Sequence, residues 1–314
     1  MFKKILKSKL FRILISVILI YFAFKKVDIS ILLKQLVGIK IWFLVINILI
    51  SFLLVTIVST RWSLLLIRKP NIKDVLVFTK SAFAALFYGL FFPTALAGDV
   101  LKWIIIDEKY PEISKTKLLG SVILDRFIGL SMFIFLGMVM ILVANRQGIQ
   151  IPFLVILIFI GLFIVCLVFY IGIIFFNVEK LFKFKIFKRF ENIGELVRKE
   201  NLGQIRKAIL ISAVSELFWI LQMWFISSYF GANLSMISIF VFMPIIAMIL
   251  ILPISIGGFG AREQLFLFFF ASSVSSPESI LLTSTFAGIL GIINCLFGGL
   301  MTLTPDFRKK SSNF

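Results

Sequence analysis

The chain has 314 residues, of which 61% are hydrophobic and 15% charged, against about 45–50% and 25% in ordinary globular proteins, and this excludes a soluble fold. Its net charge is +18, but the basic residues sit in short stretches between apolar runs, so they point to lipid headgroups and not to nucleic acid. The sequence contains no histidine, which excludes imidazole metal ligands, Ser-His-Asp triads and His proton relays.

The amino terminus carries Lys3, Lys4, Lys7, Lys9 and Arg12 ahead of an apolar run, Ile13 to Phe24. That run ends in Tyr21, Phe22, Ala23 and Phe24, without the small residues of a cleavage site, and reads as an uncleaved first membrane segment. Further apolar segments are predicted over 41–59, 79–97, 119–143, 152–176, 207–230, 236–256, 259–275 and 279–303. Most can cross a bilayer core of about 30 Å. Segment 79–97 differs, because it holds Lys80, Ser81, Tyr88, Gly89, Pro93 and Thr94 and leads into Gly98 and Asp99. Such a segment is tolerated at membrane depth only where it faces protein or a water-filled cavity.

Charge counting favours a re-entrant path for 79–97. With both its ends on one side, that side collects five Lys/Arg before the first segment, five in 60–80, four in 98–118, nine in 177–207 and three after 304. The opposite side holds Lys25, Lys26, Lys34, Lys40 and Arg146, with Arg126 and Arg262 inside segments. The positive-inside bias therefore predicts cytoplasmic termini, about eight spanning helices and one re-entrant element. The fold class is an all-α polytopic integral membrane protein, forming a single transmembrane domain over 1–314.

The hydrophilic connection 177–206 divides the chain into halves at about 10–176 and 207–304. Within it, Lys180 to Phe190 mixes five basic residues with Phe182, Phe184, Phe187 and Phe190, as expected either of a solvated cytoplasmic linker or of a segment lying on an anionic membrane surface. Each half contains one broken element, Pro93 to Asp99 and Pro253 to Glu263, in which Pro is followed by small residues, Gly and an acid. Paired broken helices are a pointer to a transporter binding site at the interface of two repeats.

Charged groups within the apolar segments are the informative residues, since each costs about 2.5–3.5 kcal/mol at a helix centre on insertion scales. They are Asp99, Lys102, Asp125, Arg126, Glu216, Arg262 and Glu263. Neighbours on a helix project about 100° apart, so Asp125 and Arg126 should each find a partner on another element, and likewise Arg262 and Glu263. Asp99 and Lys102 have the spacing to pair on one face. A guanidinium presents a planar fork to phosphate, and a helix opening after a glycine-rich break presents unpaired N–H groups. Arg126, Arg262 and the backbone of Gly257, Gly258 and Gly260 are thus phosphate-binding candidates, unless these charges only lock helices together. Glu216 sits among Trp219, Gln222 and Trp224 without a basic residue nearby on its own helix, so it must be protonated, paired across helices or water-facing. Ala287, Gly291, Cys295 and Gly299 form a smooth stripe expected to allow close helix approach. Cys166 and Cys295 both lie in apolar runs, and no disulfide is expected.

The sequence FFPTALAGDVLK, then SVILDRFIGL, an isolated Glu in the second half and LPISIGGFGARE resembles the transmembrane flippase-like family, which includes the membrane region of lysylphosphatidylglycerol synthase, the multiple peptide resistance factor. The resemblance covers roughly 10–303. Ala97 departs from it, since the family usually has a second Gly before Gly98 and Asp99. It implies translocation of a phospholipid or lipid-linked headgroup, aminoacylated phosphatidylglycerol among the candidates, across a prokaryotic cytoplasmic membrane. The full synthase carries a soluble aminoacyl-transfer domain after its membrane region, whereas this chain ends at Phe314, so headgroup transfer is expected to belong to a partner enzyme. Headgroup binding or translocation residues on this reading are Pro93, Gly98, Asp99, Lys102, Asp125, Arg126, Glu216, Pro253, Gly257, Gly258, Gly260, Arg262 and Glu263. No catalytic residue, metal or cofactor is expected: no Asp-x-Asp motif, nucleophile–base pair or nucleotide-binding motif is present. Two alternatives stand beside it, a membrane-embedded transferase acting on a lipid-phosphate carrier and a proton-coupled small-ion transporter using Glu216 and Asp125.

Overall fold

Capping side chains and prolines cut the apolar sequence into helices. The structure is a computed structural model and describes residues 21, 29–89, 95–146, 151–175, 196, 201–252, 255, 258–271 and 276–303. Among these there are ten helices and no strand: α1 (Ile29–Val37), α2 (Ile41–Leu66), α3 (Ile72–Gly89), α4 (Ala95–Lys109), α5 (Lys115–Arg146), α6 (Phe153–Phe175), α7 (Leu202–Tyr229), α8 (Met236–Ile251), α9 (Ala261–Phe270) and α10 (Pro277–Thr302).

After α2, Pro70 precedes a reciprocal cap in which Asp74 N–H donates to Asn71 Oδ1 and Asn71 N–H to Asp74 Oδ2, each at 2.9 Å; this starts α3. Ser235 and Ser276 cap α8 and α10, accepting from Ser238 N–H at 3.1 Å and Ser279 N–H at 3.4 Å. Between α7 and α8 the chain turns through left-handed Gly231 and Asn233, φ 76° and 46°.

Five helices, α2, α5, α6, α7 and α10, are long and apolar enough to cross a membrane. The 26 residues of α2 rise about 39 Å, longer than the hydrocarbon core. Of the expected first segment, Ile13 to Phe24, only Tyr21 is among the described residues. The segments expected over 236–256 and 259–275 are the shorter α8 and α9; with ten residues, α9 rises about 15 Å and cannot cross alone. One expectation needs correcting, since 98–118 is not a connection: α4 continues to Lys109, ending two residues before Pro111, which forces its predecessor out of helical geometry.

The chain divides into two compact units, the first Met1–Leu53, Ala82–Leu101 and Trp219–Phe314, the second Leu54–Ser81 and Lys102–Phe218. In the second unit, Trp62, Phe78, Ile106, Leu118 and Val122 form one buried cluster and Leu65, Leu124, Ile128, Leu196, Ile205 and Ala208 another. Helix α5 packs along α6. The start of α3 meets the end of α4, where Tyr110 Oη donates to Asp74 Oδ1 at 2.7 Å.

The first unit is organised around buried Phe43, which stacks on Tyr229 with ring centroids 3.7 Å apart and meets Phe225, Phe230 and Phe286. Gln222 Nε2 donates to the Asn47 carbonyl at 3.0 Å and to Ser51 Oγ at 3.1 Å, an amide satisfied within apolar helices. Helix α9 packs against both α8 and α10. The close approach expected of the small-residue stripe is made at Gly299, where a Cβ would stand 2.8 Å from Phe87 Cε2, and more tightly by two glycines of α10 outside the stripe. A Cβ at Gly298 would stand 1.9 Å from the Phe83 carbonyl oxygen, and at Gly288 1.9 Å from Arg262, while Gly291 has nothing within 4 Å.

Large apolar side chains remain exposed on the long helices, among them Ile164, Val165 and Val168 on α6 and Leu296 and Leu300 on α10. Only 17% of the apolar window of α6 is buried against 50% for α10, so α6 is the more lipid-facing helix. Apolar surface of this extent is stable in hydrocarbon and not in water, and the molecule is an integral membrane protein.

Candidate functional site

In the second unit the charges converge on Asp125 of α5. Arg61, on α2, donates through Nε to Asp125 Oδ1 at 2.7 Å and through Nη1 to Ser212 Oγ at 2.8 Å. Lys102, on α4, places Nζ 3.8 Å from Asp125 Oδ2 and 4.6 Å from the centroid of Trp62. Trp62 is itself held by its Nε1–H, which donates to Ser121 Oγ at 2.9 Å. Arg61, Lys102 and Asp125 are all buried, so their desolvation has to be offset by mutual attraction and complete hydrogen bonding. The arrangement depends on Gly129, one helical turn beyond Asp125: a Cβ there would lie 2.9 Å from Arg61 Nη1.

Glu216 lies one turn after Ser212 on α7 and interacts electrostatically with Arg61 and Asp125. It makes no hydrogen bond or ion pair among the described residues. Arg61, Lys102, Asp125 and Glu216 together balance two positive charges with two negative ones if both acids are ionised. The cluster is an ion-pair network with one carboxylate left without a direct bond.

The first unit holds the second charged group. Gly258 and Gly260 take φ of 80° and 78°, a region closed to most residues with a Cβ, and turn the chain into α9. Glu263 folds back, accepting from Gly260 N–H through Oε2 at 2.7 Å and from Arg262 Nη2 through Oε1 at 3.0 Å. Ser284 Oγ of α10 donates to the same Oε1 at 3.4 Å. Arg262 and Glu263 thus pair with each other, contrary to the expectation from their 100° separation. In the first turn Glu263 is drawn back as a cap, and the long arginine stem reaches it. The guanidinium lies over Phe259, 5.1 Å from its centroid, and in the recess left by Gly288. Its Nε is buried and has no hydrogen-bond partner among the described residues.

The structure therefore brings Lys102, Asp125 and Glu216 together, and Gly258, Gly260, Arg262 and Glu263 together. One backbone donor expected to await an anion, Gly260 N–H, is taken by Glu263. Arg126 is exposed, whereas Asp125 beside it is buried, as successive helical positions demand. Gly98 and Asp99 lie in the first turns of α4; the Asp99 side chain, and Pro93, Pro253 and Gly257, lie outside the described residues. Lys102 faces Asp125 across helices. Arg61 was missed by the sequence reading, which placed it in a cytoplasmic connection because the apolar run was ended at Ser59. The available signal was the apolar stretch Trp62 to Ile67 immediately beyond it, which extends the helix and puts Arg61 inside. Among the described residues no group of acids and cysteines is placed to hold a metal ion.

Two findings from comparison with known proteins bear on this arrangement. No curated protein and no solved structure matches the chain. The family model described as the lysylphosphatidylglycerol synthase TM region matches residues 9–298, an interval that contains both charged groups, the glycine turn before α9, four of the five membrane-length helices whole and α10 as far as Gly298. The chain belongs to the lysylphosphatidylglycerol synthase transmembrane-region family.

Proposed function

We propose that this protein moves a phosphate-bearing lipid headgroup across the cytoplasmic membrane, with Arg262 as the residue that receives the phosphate. The observation that carries the reading is the state of its guanidinium. One edge is held by Glu263, the plane rests on Phe259, and Nε is buried without a partner among the described residues. An unsatisfied donor on a buried cation is costly, and a phosphate oxygen is a ligand that removes the cost. Glu263 then serves to aim the fork, while the Arg61–Asp125–Lys102 network keeps α2, α4 and α5 in register. Aminoacylated phosphatidylglycerol is one candidate cargo, supplied by a lipid-modifying partner enzyme, and both termini are cytoplasmic. The adjacency of Asp74 and Tyr110, at the start of α3 and the end of α4, supports these two helices as the re-entrant element.

The test is a leaflet-exchange assay in proteoliposomes carrying fluorescent phosphatidylglycerol. Parent protein should expose the label to an external quencher without forming a covalent product. Arg262→Lys, which keeps the charge and loses the fork, should reduce the rate at least tenfold while retaining insertion. An unchanged rate in Arg262→Lys would remove this residue from the binding site. Glu216, with no direct bond, motivates a second reading as a proton-coupled ion transporter; uptake of a small cation with no lipid exchange would select it.

A further inference from the structure

At one end of the second unit, three chain segments distant in sequence close around a cavity of about 120 Å³. Arg68 comes from the connection after α2, Lys117 from the first turn of α5, and Asn201 and Gln204 from the start of α7. The floor is apolar, with Leu65 and Leu196, both members of a buried core cluster. Among the described residues no acid contributes to the lining. Asp107 lies 3.7 Å from Lys115, and Asp74 holds Tyr110 and the α3 cap. Among the described residues neither the Arg68 nor the Lys117 side chain has an ion-pair partner. Two like charges sharing the lining of one small cavity repel each other, and an anion seated between them turns that repulsion into attraction.

We infer that this cavity is a second, separate binding site, for a phosphate monoester or diester, distinct from Arg262. Arg68 and Lys117 supply the positive charge, and Gln204 presents its amide to ester or hydroxyl oxygens. The leucine floor accepts the first carbons beyond the phosphate, and the volume suits that group and not a whole lipid. Because the ends of α2, α5 and α7 that line the cavity lie on the cytoplasmic side in the proposed topology, on which this source assignment rests, its ligand is either the headgroup of an inner-leaflet anionic lipid or a soluble phosphate ester. The chemistry is shared and the source is for experiment to separate.

Purified full-length protein is placed in nanodiscs of phosphatidylcholine alone or with phosphatidylglycerol, and co-purifying lipid is counted by native mass spectrometry after detergent exchange. Parallel samples in neutral detergent receive sodium phosphate or glycerol 3-phosphate while thermal unfolding is followed. If the ligand is a lipid, phosphatidylglycerol is retained over phosphatidylcholine, and Arg68→Gln with Lys117→Gln lowers that preference at least fivefold. If it is soluble, glycerol 3-phosphate raises the unfolding temperature of the parent and not of the double variant, with no lipid preference. Lys73→Gln, which removes an exposed basic charge outside both sites, should behave as the parent in both assays, and the loss caused by Arg68→Gln with Lys117→Gln should be as large in an Arg262→Lys background, which separates failure of this site from failure of the transport reading. Equal lipid retention by parent and double variant, together with no response to either phosphate compound, would overturn the inference. Gln204→Ala provides an uncharged check: it should weaken retention at constant net charge, whereas simple electrostatic attraction to the membrane would leave retention unmoved.

Discussion

Asp125 is the residue on which the second unit depends, because it is the shared anion of two buried cations. Asp125→Asn keeps shape and removes the charge, stranding Arg61 and Lys102 in a low-dielectric interior. Breaking one partner of a buried pair costs about 3–5 kcal/mol, and that loss is expected in reversible SDS unfolding of the reconstituted protein. Arg61→Gln added to Asp125→Asn should be less destabilising than the two single changes together by about 1–3 kcal/mol, as coupled partners are; strict additivity would mean the pair does not interact. Gly288 has a comparable role beside Arg262. An alanine methyl there would coincide with the guanidinium, and since the end of a long side chain can move aside, the cost is a displaced Arg262 and not a broken fold. Gly288→Ala should lower lipid exchange as far as Arg262→Gln does, with a stability change of about 1–3 kcal/mol. Adding Arg262→Ala should recover that stability but not the exchange. Exchange at the parental rate in Gly288→Ala would show that the recess is not used.

At the scale of elements, the start of α3 and the end of α4 are joined by a hydrogen bond outside the spanning helices. Burial of Tyr110 and its donation to Asp74 hold its phenol above its ordinary value. An unfolded tyrosine ionises near pH 10 and the folded one higher, so its contribution to stability is present below about pH 10 and is lost as pH rises toward the folded value. Tyr110→Phe should cost about 1 kcal/mol at neutral pH and should show a smaller decline between pH 9 and 11 than the parent in denaturant titrations. A decline of the same size in both proteins would assign it to other groups. The extent of α4 was not legible in the sequence, because Asp99, Lys102, Asp107, Glu108 and Lys109 read as a polar connection when only hydropathy is counted. Lys102 becomes an interior residue through the packing that brings Asp125 and Trp62 to it. The turn at Gly258 and Gly260 into α9 was legible, since glycine acts through local backbone geometry, whereas the stretches around Pro93 and Pro253 lie outside the described residues.

For the whole molecule the central expectation is topological. Arg68 and Lys117 line one cavity and Asp74 bonds Tyr110, so the chain leaves and returns at the same end between α2 and α5. Single cysteines at Lys73 and Lys115, both exposed, in a background with Cys166 and Cys295 replaced, should therefore react alike with an impermeant maleimide. Both should be protected in right-side-out vesicles and both labelled after permeabilisation. Opposite accessibility would mean that the stretch between α2 and α5 crosses the membrane once.

Membrane residence and helical class follow from composition and run length alone, because hydropathy is a sum over neighbours in sequence and needs no knowledge of what those neighbours touch. The candidate status of Lys102, Asp125, Arg262 and Glu263 is also readable there, since a charge inside an apolar run is costly wherever the run ends up. Pairing is a different matter. That Asp125 takes Arg61 and Lys102, that Arg262 turns back to Glu263, and that Gly129 and Gly288 leave room for two guanidinium groups were decided by tertiary structure. Each of these contacts depends on the rotation and spacing of packed helices, and a difference of one position on a helix moves a side chain through 100°. Arg126, exposed beside buried Asp125, is that difference made visible.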